Sequence, residues 1–375
     1  MTPFKTLALL AALALPVAAA AAEIPLSAKE QLGKALFFDG GLSEPAGQAC
    51  ASCHAPLAGF TSPDSERNKG PAIVAGAAPG RAGNRTPPSV AYTLFNVRLH
   101  FDPDVSAFEG GFFRDGRAES LIEQASGPLT NPLEMNNPDM AAVCRKVAAA
   151  PYAGQFAAAF GQPLNCAGDG PLRIAQALAE FETSREVNPF SSKYDAYMDG
   201  RATLSPAESR GLALFQGKAK CDVCHPSRLS RDGDRPLFTD FGYDNIGAPR
   251  NPANPFYTQP KSVNPAGAAY VDPGVGAILK KPSLLGAFKA PTLRNVAAGG
   301  EGFTRAYMHN GALKSLEEVM EFYSDRDRRP GHWVPEEPRH INKQDMGNLH
   351  LTTAEKADII AFLKTLTDGW SETGK

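Results

Sequence analysis

Two copies of the pentapeptide Cys-x-x-Cys-His, Cys50-Ala51-Ser52-Cys53-His54 and Cys221-Asp222-Val223-Cys224-His225, stand about half a chain apart. At this spacing two thiols can add to the vinyl groups of a haem, and the adjacent histidine can serve as an axial iron ligand. A chain that holds a porphyrin this way must build a pocket around it, so the fold is committed to two such pockets. Zinc binding or structural cysteines are the alternative reading of one copy. Repetition behind the same helix pattern favours covalent haem.

That helix pattern is itself a repeat. Ser27-x-x-Glu30-x-x-Gly33-x-x-Leu36-Phe37 recurs 178 residues later as Ser205-x-x-Glu208-x-x-Gly211-x-x-Leu214-Phe215. Each opens with a Ser and a Glu three residues on, the signature of a capping box, and Pro206 adds a favoured first-turn residue. Further along, Ile174 to Phe181 and Ile359 to Leu366 read as amphipathic closing helices, the second opened by Thr352 with Glu355. Helix, haem loop and closing helix form a cytochrome c-like unit, here occurring twice. The sequence therefore predicts a mainly α fold with an N-terminal haem domain over 23–200 and a C-terminal haem domain over 201–375. The boundary falls where helical periodicity lapses at Asp199-Gly200-Arg201. Between Pro236 and Pro291 the chain is rich in Pro, Gly and Asn and reads as an elaborate loop region around the second haem.

Residues 1–22 carry Lys5, an apolar run from Leu7 to Val17 and a small-residue stretch from Ala18 to Ala22. This reads as a secretory signal peptide cleaved before Glu23, with a core too short for a membrane span. No later segment is long and apolar enough to cross a bilayer, so a periplasmic location is expected. A formal net charge of −2 gives no reason to expect a nucleic acid or anionic membrane as partner. In an oxidising compartment Cys144 and Cys166 read as a disulfide closing a short loop, with two buried free thiols as the alternative.

Several further motifs accompany the haem loops: Phe113-Arg114-Asp115-Gly116-Arg117-Ala118, Glu123-Gln124-Ala125, Gly127-Pro128, Asn131-Pro132-Leu133-Glu134-Met135, Ala290-Pro291-Thr292-Leu293-Arg294-Asn295-Val296 and Tyr307-Met308-His309-Asn310-Gly311. Through them the chain resembles the bacterial dihaem cytochrome c peroxidase and MauG superfamily over nearly all of residues 23–375. The resemblance implies a peroxide site at the N-terminal haem and an electron-transfer site at the C-terminal haem. It places Glu134 and Gln124 at the distal acid and amide positions. A carboxylate there suits peroxide cleavage, which needs a proton moved from one peroxide oxygen to the other, and confinement should raise its pKa.

Two departures sort the chain within that superfamily. Conventional members keep a distal His about 16 residues after the first haem His, but that position is Gly70 and no His lies between His54 and His100. The first iron is therefore expected to be open, as the resemblance implies for MauG-like members, which carry a Pro on the distal side where Pro128 matches. The second iron's distal ligand is expected 14 residues after His309, at Tyr323, where MauG-like members have Tyr and peroxidases have Met. A hard phenolate favours oxidised iron, whereas a thioether favours the reduced metal. Met320, one helical turn away, is the rival ligand.

A third departure points the other way. The resemblance places a Trp between the haems where this chain has Arg114, and its only tryptophans are Trp333 and Trp370. Arginine cannot relay oxidation, and Arg114 is better suited to a haem propionate. The resemblance further implies a calcium ion held by an Asn side chain, for which Asn84 is the expected donor, and by the carbonyls of Thr304 and Ala306. Oxygen donors of this kind suit Ca²⁺. His309 is expected near the haems without binding iron, and His100, His332, His340 and His350 have no motif around them.

The expected activity is oxidation driven by H₂O₂, with a partner protein residue oxidised through the second haem. The alternatives are reduction of H₂O₂ to water with electrons from a small cytochrome or cupredoxin, and a non-catalytic dihaem carrier or sensor.

Overall fold

The computed structural model describes residues 25–229 and 234–372; the expected signal peptide lies outside them. Eleven α-helices occur among the described residues. The first seven are α1 (Ala28–Phe37), α2 (Ser65–Lys69), α3 (Leu121–Thr130), α4 (Met140–Ala148), α5 (Gln155–Phe160), α6 (Gly170–Thr183) and α7 (Lys193–Met198). They are followed by α8 (Pro206–Gln216), α9 (Val275–Leu279), α10 (Leu316–Asp325) and α11 (Thr353–Lys364). Strand structure is confined to two antiparallel pairs, β1 (His100–Asp102) with β2 (Ala107–Glu109) and β3 (Tyr243–Asp244) with β4 (Phe288–Lys289). The architecture is thus mostly helical. No described helix is long and apolar enough to cross a membrane.

The helix starts follow from local chemistry. Ser27, Ser205 and Thr352 each accept a hydrogen bond from the backbone N–H three residues on, and Glu30, Glu208 and Glu355 accept one back from the cap backbone. Each cap satisfies two backbone donors that the first helical turn leaves unpaired.

Apolar side chains gather in two clusters. One is built from residues 32–187 and includes Leu32, Leu36, Phe37, Leu129, Val143, Leu178 and Phe181. The other runs from residue 194 to residue 366 and includes Phe215, Phe238, Phe322, Ile359 and Phe362. In each, an opening helix crosses a closing helix at a glycine. A Cβ on Gly33 would lie 1.8 Å from the Ala177 carbonyl oxygen, and one on Gly211 would lie 2.0 Å from that of Asp358. Beside each crossing an edge-on phenylalanine pair repeats: Phe37 with Phe181 and Phe215 with Phe362, both with ring centroids 5.2 Å apart. Gly33 and Gly211 are the residues the repeat aligns, but the closing helices match with a register the hydrophobic periodicity does not give. Phe181 corresponds to Phe362, so Ile174 does not correspond to Ile359. Backbone contact at the glycine sets this register, and amphipathicity alone cannot locate it.

Cys144 on α4 and Cys166 before α6 form a disulfide. Between the two clusters, Arg294, 1 % exposed, donates to both carboxylate oxygens of Asp195 and to the Pro236 carbonyl, and it lies over the rings of Tyr92 and Phe190. A guanidinium can be buried at this depth because its charge and donors are matched. Asp368 adds a second tie by accepting from Tyr92, Ser191 and Asn295.

Candidate haem and peroxide sites

Each Cys-x-x-Cys-His motif begins as a 3₁₀ turn, Cys50–Ser52 or Cys221–Val223, and the histidine N–H closes the turn by donating to the first cysteine carbonyl at 2.9 Å. The turn brings two thiols and an imidazole to one cavity. His54 sets its Nδ1 3.1 Å from the Phe60 carbonyl, and His225 sets its Nδ1 2.8 Å from the Phe238 carbonyl. With Nδ1 engaged as donor, the neutral Nε2 is left as the metal-binding atom. Burial pushes both imidazoles below the ordinary histidine range, which favours that neutral form.

The carbonyl acceptors are themselves a repeat. Phe60 and Phe238 both adopt left-handed backbone, with φ of 57° and 53°. Ser89 donates to the carbonyl of the residue before Phe60, and Thr292 donates to the carbonyl of the residue before Phe238. Ser89 follows Pro88 and Thr292 follows Pro291, so the two cavities share one pattern of construction. Among the described residues no three His, Cys, Asp or Glu groups converge as a metal cage.

The N-terminal cavity is bordered by Cys50, Cys53, His54, Gln124, Pro128, Glu134, Asn84 and Arg114. Gln124 and Pro128 are four residues apart on α3 and present one face. Beyond α3 the chain folds back: Glu134 N–H donates to the Asn131 carbonyl and Met135 N–H to that of Pro128, which returns Glu134 to the same cavity. Burial raises the Glu134 carboxyl above the usual range, with Arg117 and the Asn131 side chain opposing it. His54 is the only histidine on this cavity. Met135 and Tyr92 also border it, but Met135 is packed in the first apolar cluster and the Tyr92 hydroxyl is bonded to Asp368.

The C-terminal cavity is bordered by Cys221, Cys224 and His225 and also by α10, which contributes both Met320 and Tyr323. Tyr323 makes no side-chain hydrogen bond among the described residues, and burial raises its phenol, with Cys224, Cys221 and Asp244 adding to the effect. A half-buried phenol on a cavity, with no hydrogen bond to the protein, is free to give its oxygen to a bound cation. His309 also reaches this cavity, but it stacks on Phe288 and lies 3.1 Å from a Glu336 carboxylate oxygen.

The cavities share a wall made of Thr86, Pro87, Pro88, Ser89, Arg114, Lys289, Ala290, Pro291 and Thr292. Arg114 donates to the Thr86 carbonyl and hydroxyl at 2.9 Å each, Arg305 to the Ala58 carbonyl, and Lys289 to the Gly111 carbonyl. None of the three forms an ion pair among the described residues. Burial, with Arg85 and Arg305 nearby, pushes Arg114 down to about 10, and burial pushes Lys289 down to about 7. Arg85, by contrast, is paired with Asp272 and Asp115. Half-buried cations lining a cavity and hydrogen-bonded only to neutral oxygens call for anions from outside the chain. The carboxylates of haem propionates meet that need, so the residues present fit two porphyrins.

The expected calcium ligands do not all come together. Asn84 does not meet Thr304: its Nδ2 donates to Tyr270 and to Asp272 at 2.7 Å, which draws it into the Arg85 ion-pair network. The side chain that reaches the Thr304 carbonyl is that of Asn68, at 3.0 Å from Nδ2, and its Oδ1 is buried without a partner. Turning this amide over would direct the orphan oxygen toward Thr304. Asn68 and Ala306 border the same cavity. Asn68 carries no local sequence signal; only the fold brings α2 to a segment more than 230 residues away.

Comparison with known proteins agrees with this geometry. The family profile described as Di-haem cytochrome c peroxidase matches residues 27–203. The methylamine utilization protein MauG of Paracoccus denitrificans (strain Pd 1222) is 36% identical over 356 residues, covering 90% of this chain and 88% of that protein. The cytochrome c551 peroxidase of Nitrosomonas europaea is 30% identical, covering 90% and 79%. Among solved structures, the diheme peroxidase BthA from Burkholderia thailandensis E264 superposes with a TM-score of 0.79 at 36% identity, covering 92% of this chain and 87% of that one. A MauG-like protein associated with microbial copper homeostasis gives a TM-score of 0.66 at 30% identity, covering 92% and 91%. The chain therefore belongs to the dihaem cytochrome c peroxidase and MauG family and is a dihaem oxidoreductase.

Proposed function

We propose that this protein is a periplasmic, MauG-like oxidase that uses H₂O₂ at the N-terminal haem to oxidise a residue on a partner protein through the C-terminal haem. The observation that carries the reading is the difference between the cavities. Among the described residues one is bordered by a single histidine, His54, while the other is bordered by both His225 and Tyr323. When bound, the haems supply the iron at which peroxide reacts and the redox centres through which electrons return.

The chain's own groups do the rest. His54 and His225 present a neutral nitrogen, Glu134 as carboxylate accepts the peroxide proton and returns it to the departing oxygen, and Gln124 orients the peroxide by hydrogen bonding. Pro128 offers no donor and keeps that side of the cavity clear. Arg114, Arg305 and Lys289 anchor propionates, and the Asn68 amide oxygen with the Thr304 and Ala306 carbonyls holds calcium. Domains over 23–200 and 201–375, each carrying one haem, complete the reading.

Reduction of H₂O₂ to water with electrons from a small cytochrome or cupredoxin is the second reading, and Met320 on the same cavity is the observation that favours it. Electron paramagnetic resonance of the resting holoprotein, followed by H₂O₂ with and without a reduced cytochrome, separates the two. The oxidase reading expects one high-spin and one low-spin centre, loss of the low-spin signature in Tyr323→Phe, and an oxidised state that outlives mixing when no donor is present. An unchanged low-spin signal in Tyr323→Phe and its loss in Met320→Leu would overturn it.

A further inference from the structure

Glu182 on α6 borders the N-terminal cavity, is 5 % exposed, and makes no side-chain hydrogen bond among the described residues, with Oε2 fully buried. The internal repeat shows what belongs there. Phe181 matches Phe362 at the glycine crossings, so Glu182 matches Leu363, which is 3 % exposed and borders the C-terminal cavity. One half of the molecule thus sets a leucine against its porphyrin site where the other sets a carboxyl group. An unpartnered buried carboxyl has a desolvation cost that leucine avoids, and packing gives no reason to retain it.

Glu182 forms no ion pair among the described residues. On the packed helices, Lys29 of α1 pairs with Glu180 of α6 and Lys34 of α1 with Glu186 beyond the end of α6, Lys146 of α4 pairs with Glu44, and Glu123 of α3 caps its own helix. Inside the cavity, Glu134 acts on Cys53, whereas Glu182 acts on Cys50, the other thiol of the motif. Arg85, Arg114, Arg117 and Lys289 border the same cavity. Burial alone pushes Glu182 up to about 8.

We infer that Glu182 is the redox-linked proton site of the N-terminal haem: its carboxylate takes a proton from solvent when that haem gains an electron, and releases it when the electron leaves. The balance is one electron from the reductant to iron(III) and one proton to the Glu182 carboxylate, giving iron(II) and a neutral carboxylic acid. In a poorly screened cavity the carboxylate is stabilised by the higher charge of the oxidised metal, so the two events favour one another. The effect keeps the net charge of the pocket constant through a redox cycle. This inference needs a porphyrin in the N-terminal cavity, which the absorption spectrum of the holoprotein establishes separately. It does not depend on the partner the enzyme serves.

The test is a spectroelectrochemical titration of the N-terminal haem from pH 6 to pH 10 in wild-type holoprotein, Glu182→Gln, Glu182→Leu and, as a control, Glu134→Gln. Between the two protonation constants of Glu182 the wild-type midpoint is expected to fall by up to a factor of ten in equilibrium constant per pH unit, or 59 mV for one electron. That slope should persist in Glu134→Gln and flatten in both Glu182 variants. Glu182→Leu installs the residue of the other half and should fold at least as well as wild type. Reduced-minus-oxidised infrared spectra should show a carboxylic acid carbonyl band in wild type that is missing from Glu182→Gln. Equal slopes in wild type and both Glu182 variants, or a slope lost only in Glu134→Gln, would overturn the inference.

Discussion

Substituting Gly211 by alanine sets two effects of opposite sign against each other. Helix propensity favours alanine inside α8 by about 1 kcal/mol. Against this, the new Cβ would lie 2.0 Å from the Asp358 carbonyl oxygen, 2.6 Å from its carbonyl carbon and 2.9 Å from the Phe362 Cβ. Ordinary contact begins near 3.4 Å, so α8 and α11 must part by more than an ångström, and no flexible side-chain end is available to yield. Parting of that size forfeits a quarter to a half of the dispersion energy at each separated contact. The contacts at risk include the buried Phe215–Phe362 pair. Overpacking of this kind costs about 1–3 kcal/mol, and a backbone clash belongs at or above the upper end. A net loss of about 2 kcal/mol or more follows. Guanidinium unfolding of the holoprotein, followed by circular dichroism and by the haem absorption band, should show a lower midpoint with an unchanged slope. Gly33→Ala should act similarly in the other half, and the two losses should add because the sites share no partner. A variant as stable as wild type, or more stable, would show that propensity outweighs the crossing and that the glycines do not set the helix register.

Two further outcomes test the peroxide and cation assignments. Glu134→Gln should slow the reaction with H₂O₂ by about 10²–10⁴-fold with both haems retained; because burial raises the Glu134 pKa and the shuttle needs the carboxylate, wild-type activity should fall as pH drops through that raised value, and a stopped-flow pH profile of the variant should lack this limb. Calcium uptake measured by calorimetry should be lost in Asn68→Ala and retained in Asn84→Ala, and the opposite pattern would return the assignment to Asn84.

The parts of this molecule legible in its sequence are those set by neighbours along the chain. Ser27 and Glu30, or Ser205 and Glu208, meet within a single helical turn, so the capping boxes and both haem loops could be read directly. Features made by long-range contact could not. The closing-helix register depends on one backbone carbonyl meeting a glycine on another helix, and hydrophobic periodicity carries no trace of it. Asn84 and Asn68 are the same residue type in the sequence; the fold sets Asp272, remote in sequence, against one and Thr304 against the other. Glu182 reads as one more acidic residue on an amphipathic helix until the crossing shows that its counterpart is Leu363.

The shared wall bears most directly on how the two halves work together. None of the nine residues that border both cavities is aromatic or readily oxidised. At the position where the resemblance leads one to expect tryptophan, Arg114 is fixed by two hydrogen bonds to Thr86. Its charge also lowers the proton affinity of His54, so its field reaches the N-terminal axial ligand. A field that opposes a proton on the imidazole also opposes added positive charge on a metal bound there, and propionates paired with Arg114, Arg305 and Lys289 would offset much of it. With no readily oxidised side chain among these nine residues, the shared wall itself offers no relay for electrons between bound porphyrins. Arg114, Arg305 and Lys289 at and beside this wall would hold the propionates and moderate the charge of bound haems without serving as a relay.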